Sequence, residues 1–191
     1  MTKHILHIHG FNSSPQSMKA QQTKHYFAAN FPDIAFHCPQ LANTPNSAIK
    51  QLTRIIDQYP GDEWYLIGSS LGGYFSTYFS QKYNVKAVLV NPAVKPYELL
   101  TQFMGEQTNP YTNEVFDVNE SFVDDLKALE QIKITEKNYL VMVQTHDEVL
   151  NYQEAVEKYK NCELIVQEGG DHSFINFDKM LPTIVKFFQL P

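Results

Sequence analysis

The stretch Trp64-Tyr65-Leu66-Ile67-Gly68-Ser69-Ser70-Leu71-Gly72-Gly73-Tyr74-Phe75 constrains this chain more than any other. Its first four residues form an apolar, aromatic run of buried-strand type. The run stops at Gly68-Ser69-Ser70-Leu71-Gly72, a Gly-x-Ser-x-Gly pentapeptide centred on Ser70. A serine hydroxyl that stands out from a sharp strand-to-helix turn sits in strained backbone, and flanking glycines let strand and helix approach closely. A helix is predicted over Leu71 to Tyr83, a segment without proline in which Phe75, Tyr78 and Phe79 recur at helical spacing. Strand, turn and helix thus follow in the order that a nucleophile elbow demands. The rival phosphate-loop pattern needs a lysine that does not follow here, and a Gly-x-Gly-x-x-Gly fingerprint is absent.

The rest of the chain alternates in the same way. A strand over His4 to His9 closes at Gly10, and a helix is predicted from Pro15 to Asn30, with Ser14 as its cap. A second strand, Ile34 to Cys38, precedes a helix capped around Thr44-Pro45, whose apolar stripe is Ile49, Leu52, Ile55, Ile56 and Tyr59. After the elbow, Val85 to Val90 is almost continuously apolar, as expected of a strand buried on both faces of a parallel sheet. Further strands are predicted over Asn138 to Gln144 and Glu163 to Gln167, with helices over Glu120 to Ile132, Asn151 to Lys160, and from Phe174 or Asp178 to the end. This pace specifies an α/β fold of about six parallel strands with flanking helices. Between residues 91 and 120 the regularity breaks, with prolines at 92, 96 and 110 and glycine at 105, so this excursion is the candidate lid, a minimal one.

Composition narrows the function classes. A chain of 191 residues suits one domain, which buries about 70% of its unfolded surface in one core. A net charge of -6 argues against binding a phosphate backbone, so no nucleic-acid partner is expected. Two cysteines, Cys38 and Cys162, are too few for a disulfide scaffold and read as reduced. The first residues contain no apolar signal region and no run is long enough to span a membrane, which predicts a cytoplasmic chain. No cofactor motif is present, and the composition is silent on oligomeric state.

In open α/β sheets, ligands bind at the carboxyl ends of the strands. The loops leaving those ends carry His9-Gly10-Phe11-Asn12, then Ser70, then Thr145-His146-Asp147-Glu148, then Gly169-Gly170-Asp171-His172-Ser173-Phe174. A serine, an acid and a histidine therefore emerge in the chain order Ser, acid, His, with Asp147, Glu148 and Asp171 all available as the acid. His7 and His9 share one strand face, but the downstream Asp-His that a metallo-hydrolase would add is missing, so no metal is expected.

The strings His9-Gly10-Phe11-Asn12-Ser13-Ser14-Pro15, Gly68 to Tyr74, Asn91-Pro92-Ala93-Val94-Lys95-Pro96-Tyr97, Asp147-Glu148-Val149-Leu150 and Gly169-Gly170-Asp171-His172 resemble the small bacterial YqiA-type esterases of the α/β-hydrolase superfamily. The resemblance covers nearly the whole chain. It implies esterase activity on small-molecule acyl esters with Ser70, Asp147 and His172 as a triad, and the loss of the two leading antiparallel strands of larger hydrolases. Beside it, Asp171 adjoins the histidine and would point away from its ring, and Glu148 lies further from the strand end than Asp147. The backbone N–H groups of Leu71, just after the serine, and of Phe11, just after His9-Gly10, are the natural oxyanion donors. Tyr74, Tyr97, Phe103 and Phe174 are candidates for an apolar acyl pocket, expected to be shallow and to favour short chains. Acyl-thioester hydrolysis uses the same residues, and a non-catalytic binding module of the same fold is the third reading.

Overall fold

In the computed structural model, which describes residues 1–191, the apolar runs become six parallel strands of one sheet. The strands are, in chain order, β1 (Lys3–Ile8), β2 (Ile34–His37), β3 (Glu63–Ser69), β4 (Lys86–Val90), β5 (Gly105–Thr108), β6 (Val115–Val118), β7 (Tyr139–Gln144) and β8 (Glu163–Gln167). The large sheet has the order β2-β1-β3-β4-β7-β8, while β5 and β6 form a separate antiparallel pair. The helices are α1 (Met18–Asn30), α2 (Pro45–Asp57), α3 (Leu71–Tyr83), α4 (Pro96–Leu99), α5 (Glu120–Ala128), α6 (Tyr152–Lys158) and α7 (Leu181–Phe188). None is long and apolar enough to cross a membrane.

Period-two alternation along the strands feeds two cores. Leu6, Leu66, Leu89 and Val141 face the side covered by α2, α3, α5 and α6, where Leu52, Phe75, Phe79 and Leu126 pack. Ile5, Ile67, Val88 and Leu140 face the opposite side, against Phe27 of α1 and Ile184 and Phe188 of α7. Both faces being covered explains why β4 and β7 read as continuous apolar runs. Truncating a fully buried ring such as Phe79 to alanine would cost about 3–5 kcal/mol.

The chain moves outward from β1 to β2, then returns to the other side of β1 as β3. That reversal opens a crevice above the carboxyl ends of β1 and β3, where the Gly10 and Ser70 loops meet.

Several sequence expectations change: α5 ends at Ala128 short of Ile132, and the last helix opens as a 3-10 turn at Phe177–Met180 before α7. Ser14 caps a separate turn, its hydroxyl accepting from the Gln16 N–H at 2.9 Å and its carbonyl from the Ser17 N–H at 3.1 Å, so α1 starts only at Met18. The excursion between 91 and 120 is largely ordered as the short α4, a 3-10 turn at Leu100–Phe103 and the β5–β6 hairpin. Positive φ outside glycine is mostly the work of asparagine: Asn12, Asn84, Asn91, Asn113 and Asn176 all adopt it, and Asn91 stands at φ 40°.

Candidate active site

The elbow is built by close approach. Ser70 joins β3 to α3 with φ 57° and ψ -121°, a region that L-residues avoid unless the surroundings over-determine it. A Cβ on Gly68 would fall on the Gly72 carbonyl and the Ser76 hydroxyl, and one on Gly72 would fall on the carbonyls of Ile8 and His9. The glycines of the pentapeptide are therefore space requirements of β1, β3 and α3 meeting. The Ser70 N–H donates to the Val90 carbonyl at 3.1 Å and the Ala93 N–H to the Ser70 carbonyl at 3.1 Å, so the segment after β4 pins the strained residue from both sides.

The structure brings Ser70, His172 and Asp147 together. Nε2 of His172 lies 3.1 Å from Oγ of Ser70, and Nδ1 lies 2.8 Å from Oδ2 and 3.0 Å from Oδ1 of Asp147. The Asp147 side chain is 2% exposed, and Oδ1 also accepts from the N–H groups of Val149 and Leu150 at 2.9 and 2.8 Å. Burial pushes its pKa up, but the His172 bond and the two amide donors outweigh burial and hold it below the usual carboxylate range. The other two acids take different work. Glu148 accepts from the backbone N–H of His172 at 2.9 Å, and Asp171 accepts from the Ser173 hydroxyl. His146 lies on the surface, 3.9 Å from Glu168.

The loop after β1 passes directly over the serine, since a Cβ on Gly10 would stand 3.2 Å from Cβ of Ser70. His9 holds this loop. Its Nε2 accepts from the Leu41 N–H at 3.1 Å, which leaves the proton on Nδ1 to donate to the Gly10 carbonyl at 3.0 Å. In a trans peptide the carbonyl and the following N–H point in opposite directions, so fixing the Gly10 oxygen also fixes the direction of the Phe11 N–H. No protein acceptor is bonded to that N–H. The Leu71 N–H, first in α3, has no intrahelical partner.

The four aromatic candidates for an acyl pocket are dispersed. Tyr74 is buried in the core, its hydroxyl donating to the Leu126 carbonyl at 2.7 Å. Tyr97 donates to Glu130 at 2.9 Å, away from the serine. Phe174 turns, at φ 65°, into the opposite core against Phe177. Phe103 sits edge-on to Phe11 with ring centres 5.7 Å apart. None lines the cavity of about 300 Å³ beside Ser70 and His172, whose walls are instead His7, His9, Phe11, serines, Lys19 and Glu148. No cluster of three or more His, Cys, Asp or Glu side chains is placed to hold a metal ion.

Sequence reasoning passed over two buried amides. Asn91, just after β4, donates from Nδ2 to the Asp171 carbonyl at 3.0 Å and accepts at Oδ1 from the Gln144 N–H at 3.0 Å. Gln144, the last residue of β7, accepts at Oε1 from the N–H groups of Asp171 and Ile175 at 3.1 and 2.8 Å. The signal available in the sequence was a polar residue directly at the carboxyl end of each of two otherwise apolar strands.

Comparison with known proteins agrees with this architecture. The chain is 24% identical over 185 residues to the UPF0227 protein VP0969 of Vibrio parahaemolyticus, covering 96% of this chain and 98% of that one. Among solved structures it is similar to mouse alpha/beta hydrolase domain-containing protein 10, at a TM-score of 0.74 and 18% identity over 97% of this chain and 89% of that one. It is similar also to Est1E from Butyrivibrio proteoclasticus, solved with ferulic acid bound, at a TM-score of 0.71 and 14% identity over 98% and 88% of the two chains. At such identities the structural likeness speaks for the α/β-hydrolase fold. Residues 4–189 match the model described as "Uncharacterised protein family (UPF0227)", and the chain belongs to that family.

Proposed function

We propose that this protein is a serine hydrolase, a carboxylesterase that cleaves short-chain acyl esters through an acyl-enzyme intermediate. The observation that carries this reading is the chain of contacts that starts from a serine held at positive φ, with Ser70 Oγ 3.1 Å from His172 Nε2 and His172 Nδ1 2.8 Å from Asp147. Ser70 is the nucleophile. His172 takes its proton as Oγ bonds to the ester carbonyl carbon, then delivers that proton to the departing alkoxide as the carbon–oxygen bond breaks. Water repeats the sequence on the acyl-enzyme, losing a proton to His172 and releasing the carboxylic acid as Ser70 recovers its own. Asp147 keeps the ring in the tautomer with its proton on Nδ1 and stabilises the imidazolium. The N–H groups of Leu71 and Phe11 receive the oxyanion, each such donor typically being worth about 3–4 kcal/mol of barrier.

Short acyl chains follow from the packing around Phe11. Its ring is flanked edge-on by Phe116 and Phe122, and the adjoining cavity of about 30 Å³ has room for little more than a water molecule. The space among these rings therefore does not hold a long chain. Two free cysteines, Cys38 and Cys162, whose thiols burial pushes up to about 12 and about 11, fit a reducing, cytoplasmic setting.

Treatment with a fluorophosphonate, followed by intact mass and peptide mapping, tests the reading beside p-nitrophenyl butyrate hydrolysis. A single adduct on Ser70 that requires His172 is expected, and Ser70→Ala is expected to lose at least about a thousandfold of turnover. A folded protein that takes no adduct would overturn it. Matched oxygen esters and acyl-CoA thioesters separate the two leaving groups.

A further inference from the structure

The two cavities beside the Gly10–Phe11 turn differ in kind. The one among Leu71, Phe75, Phe116 and Phe122 has only about 30 Å³ free. The one against Ser70 and His172 has about 300 Å³, and Phe11 is the single apolar member among its 12 lining residues. Room beside the reacting atoms therefore exists among mostly polar residues, whose carbon atoms face it alongside their polar ones. A hydrocarbon group filling it would leave the polar atoms of those walls, the Lys19 ammonium above all, unpaired.

One cation reaches this space. Lys19, in the first turn of α1, donates from Nζ to the Ser173 carbonyl at 2.7 Å. An ammonium has three donors, so two remain. Burial pushes its pKa down to about 8, while Asp171 and Asp147 draw it back up, so the charge persists at pH 7. The second observation is His7. It lines the same cavity and is buried, yet neither ring nitrogen has a hydrogen-bond partner. Burial, with His9 and Lys19 adding repulsion, pushes its pKa down to about 3, so the ring is neutral, with one N–H to give and one lone pair to receive. A buried polar group left so is the mark of an absent partner.

We infer that this cavity, which His7 also lines, receives a carboxylate carried by the substrate, seated on the Lys19 ammonium, so that the preferred esters are small and anionic. The inference rests on the hydrolase reading above and adds the substrate class to it. A single negative charge asks less of the one lysine, on which Asp171 and Asp147 already draw, than a double charge would. A doubly charged phosphate would bring a second negative charge beside Glu148 on the same wall, with no second cation to offset it.

The test compares monomethyl glutarate with methyl butyrate, and 4-acetoxybenzoate with phenyl acetate, at pH 7 by pH-stat, in the unmodified protein and in Lys19→Met. The anionic ester of at least one pair should show the higher kcat/KM, and Lys19→Met should lower the anionic-to-neutral ratio about tenfold or more. Glutarate should also slow fluorophosphonate labelling of Ser70 in the unmodified protein, whereas 1,5-pentanediol should not, a readout that needs no variant. Neutral esters preferred in both pairs, a ratio that Lys19→Met leaves unchanged, or equal effects of glutarate and the diol would overturn the inference while labelling of Ser70 left the hydrolase reading standing. No labelling of Ser70 in any protein would overturn both.

Discussion

Nδ2 of Asn91 donates to the backbone carbonyl of His172 at 3.2 Å. The same nitrogen reaches the Asp171 carbonyl, and the other end of the amide holds the Gln144 N–H, so one buried side chain ties the loop that carries the imidazole to the end of β7. Asn91→Asp puts a carboxylate oxygen against two carbonyl oxygens in place of the donor. Displacing a reacting group by about 1 Å can cost a hundredfold. We expect kcat on p-nitrophenyl butyrate to fall about 10- to 100-fold with KM little changed. Unaltered kcat in a folded variant would show that the tether is dispensable.

His9 acts on the opposite side of Ser70. His9→Phe fills similar space but offers neither the donor to the Gly10 carbonyl nor the acceptor to the Leu41 N–H. The Phe11 N–H then loses its fixed direction, and a misaimed oxyanion donor should lower kcat about 10²-fold while KM changes little. Steady-state kinetics check this, and a variant in which KM alone rises would reassign His9 to substrate binding.

Gly72→Ala should be among the most damaging single-methyl additions in the chain. Its Cβ would land on the Ile8 and His9 carbonyls, backbone that cannot swing away as a side-chain tip could. Overpacking of this kind costs about 1–3 kcal/mol or more. A drop in Tm of several degrees or more, or failure to accumulate folded protein, is expected. An unshifted melting curve would mean that β1 and α3 can separate freely.

Acid stability should report His7. Its folded pKa of about 3 lies below the ordinary value of 6.5, so the unfolded state binds the extra proton and stability falls as pH drops from 6.5 toward 3. One proton contributes at most about 1.4 kcal/mol per pH unit. Asp147 adds a loss only below its ordinary value of 3.8, where the unfolded carboxylate protonates first. Urea titrations between pH 6.5 and 4.5 should therefore give a shallower pH dependence for His7→Leu than for the unmodified protein. Parallel curves would place the acid sensitivity elsewhere.

The fold was legible because its signals are local and periodic. The Gly68–Gly72 pentapeptide, the apolar runs of β4 and β7 and the proline and glycine stops all act within about ten residues. The β5–β6 hairpin was not, because Gly105-Glu106-Gln107-Thr108 is polar throughout and carries no alternation; its turn rests on Asn109, whose Oδ1 accepts from the Tyr111 N–H at 2.8 Å. The strand-end loops gave Ser70, Asp147 and His172 as neighbours because topology alone brings them to one edge. The dispersal of the four pocket candidates was not legible, for the opposite reason. Helical spacing shows that Tyr74 shares a face with its neighbours, but not that this face turns into the core toward Leu126. Lys19 and His7 come to line one cavity only through the tertiary fold, and no spacing rule encodes that.

Asparagine at left-handed turns has a chemical lifetime that glycine does not. Its amide is slowly lost when the next residue's backbone nitrogen attacks the side-chain carbonyl, leaving aspartate or isoaspartate. Asn12, Asn84, Asn113 and Asn176 are each followed by a residue with a backbone N–H, but Asn91, at φ 40°, is followed by Pro92, whose nitrogen carries no hydrogen. That route is closed at Asn91. The one left-handed asparagine that tethers His172 is thereby shielded from ageing into the aspartate that would undo it.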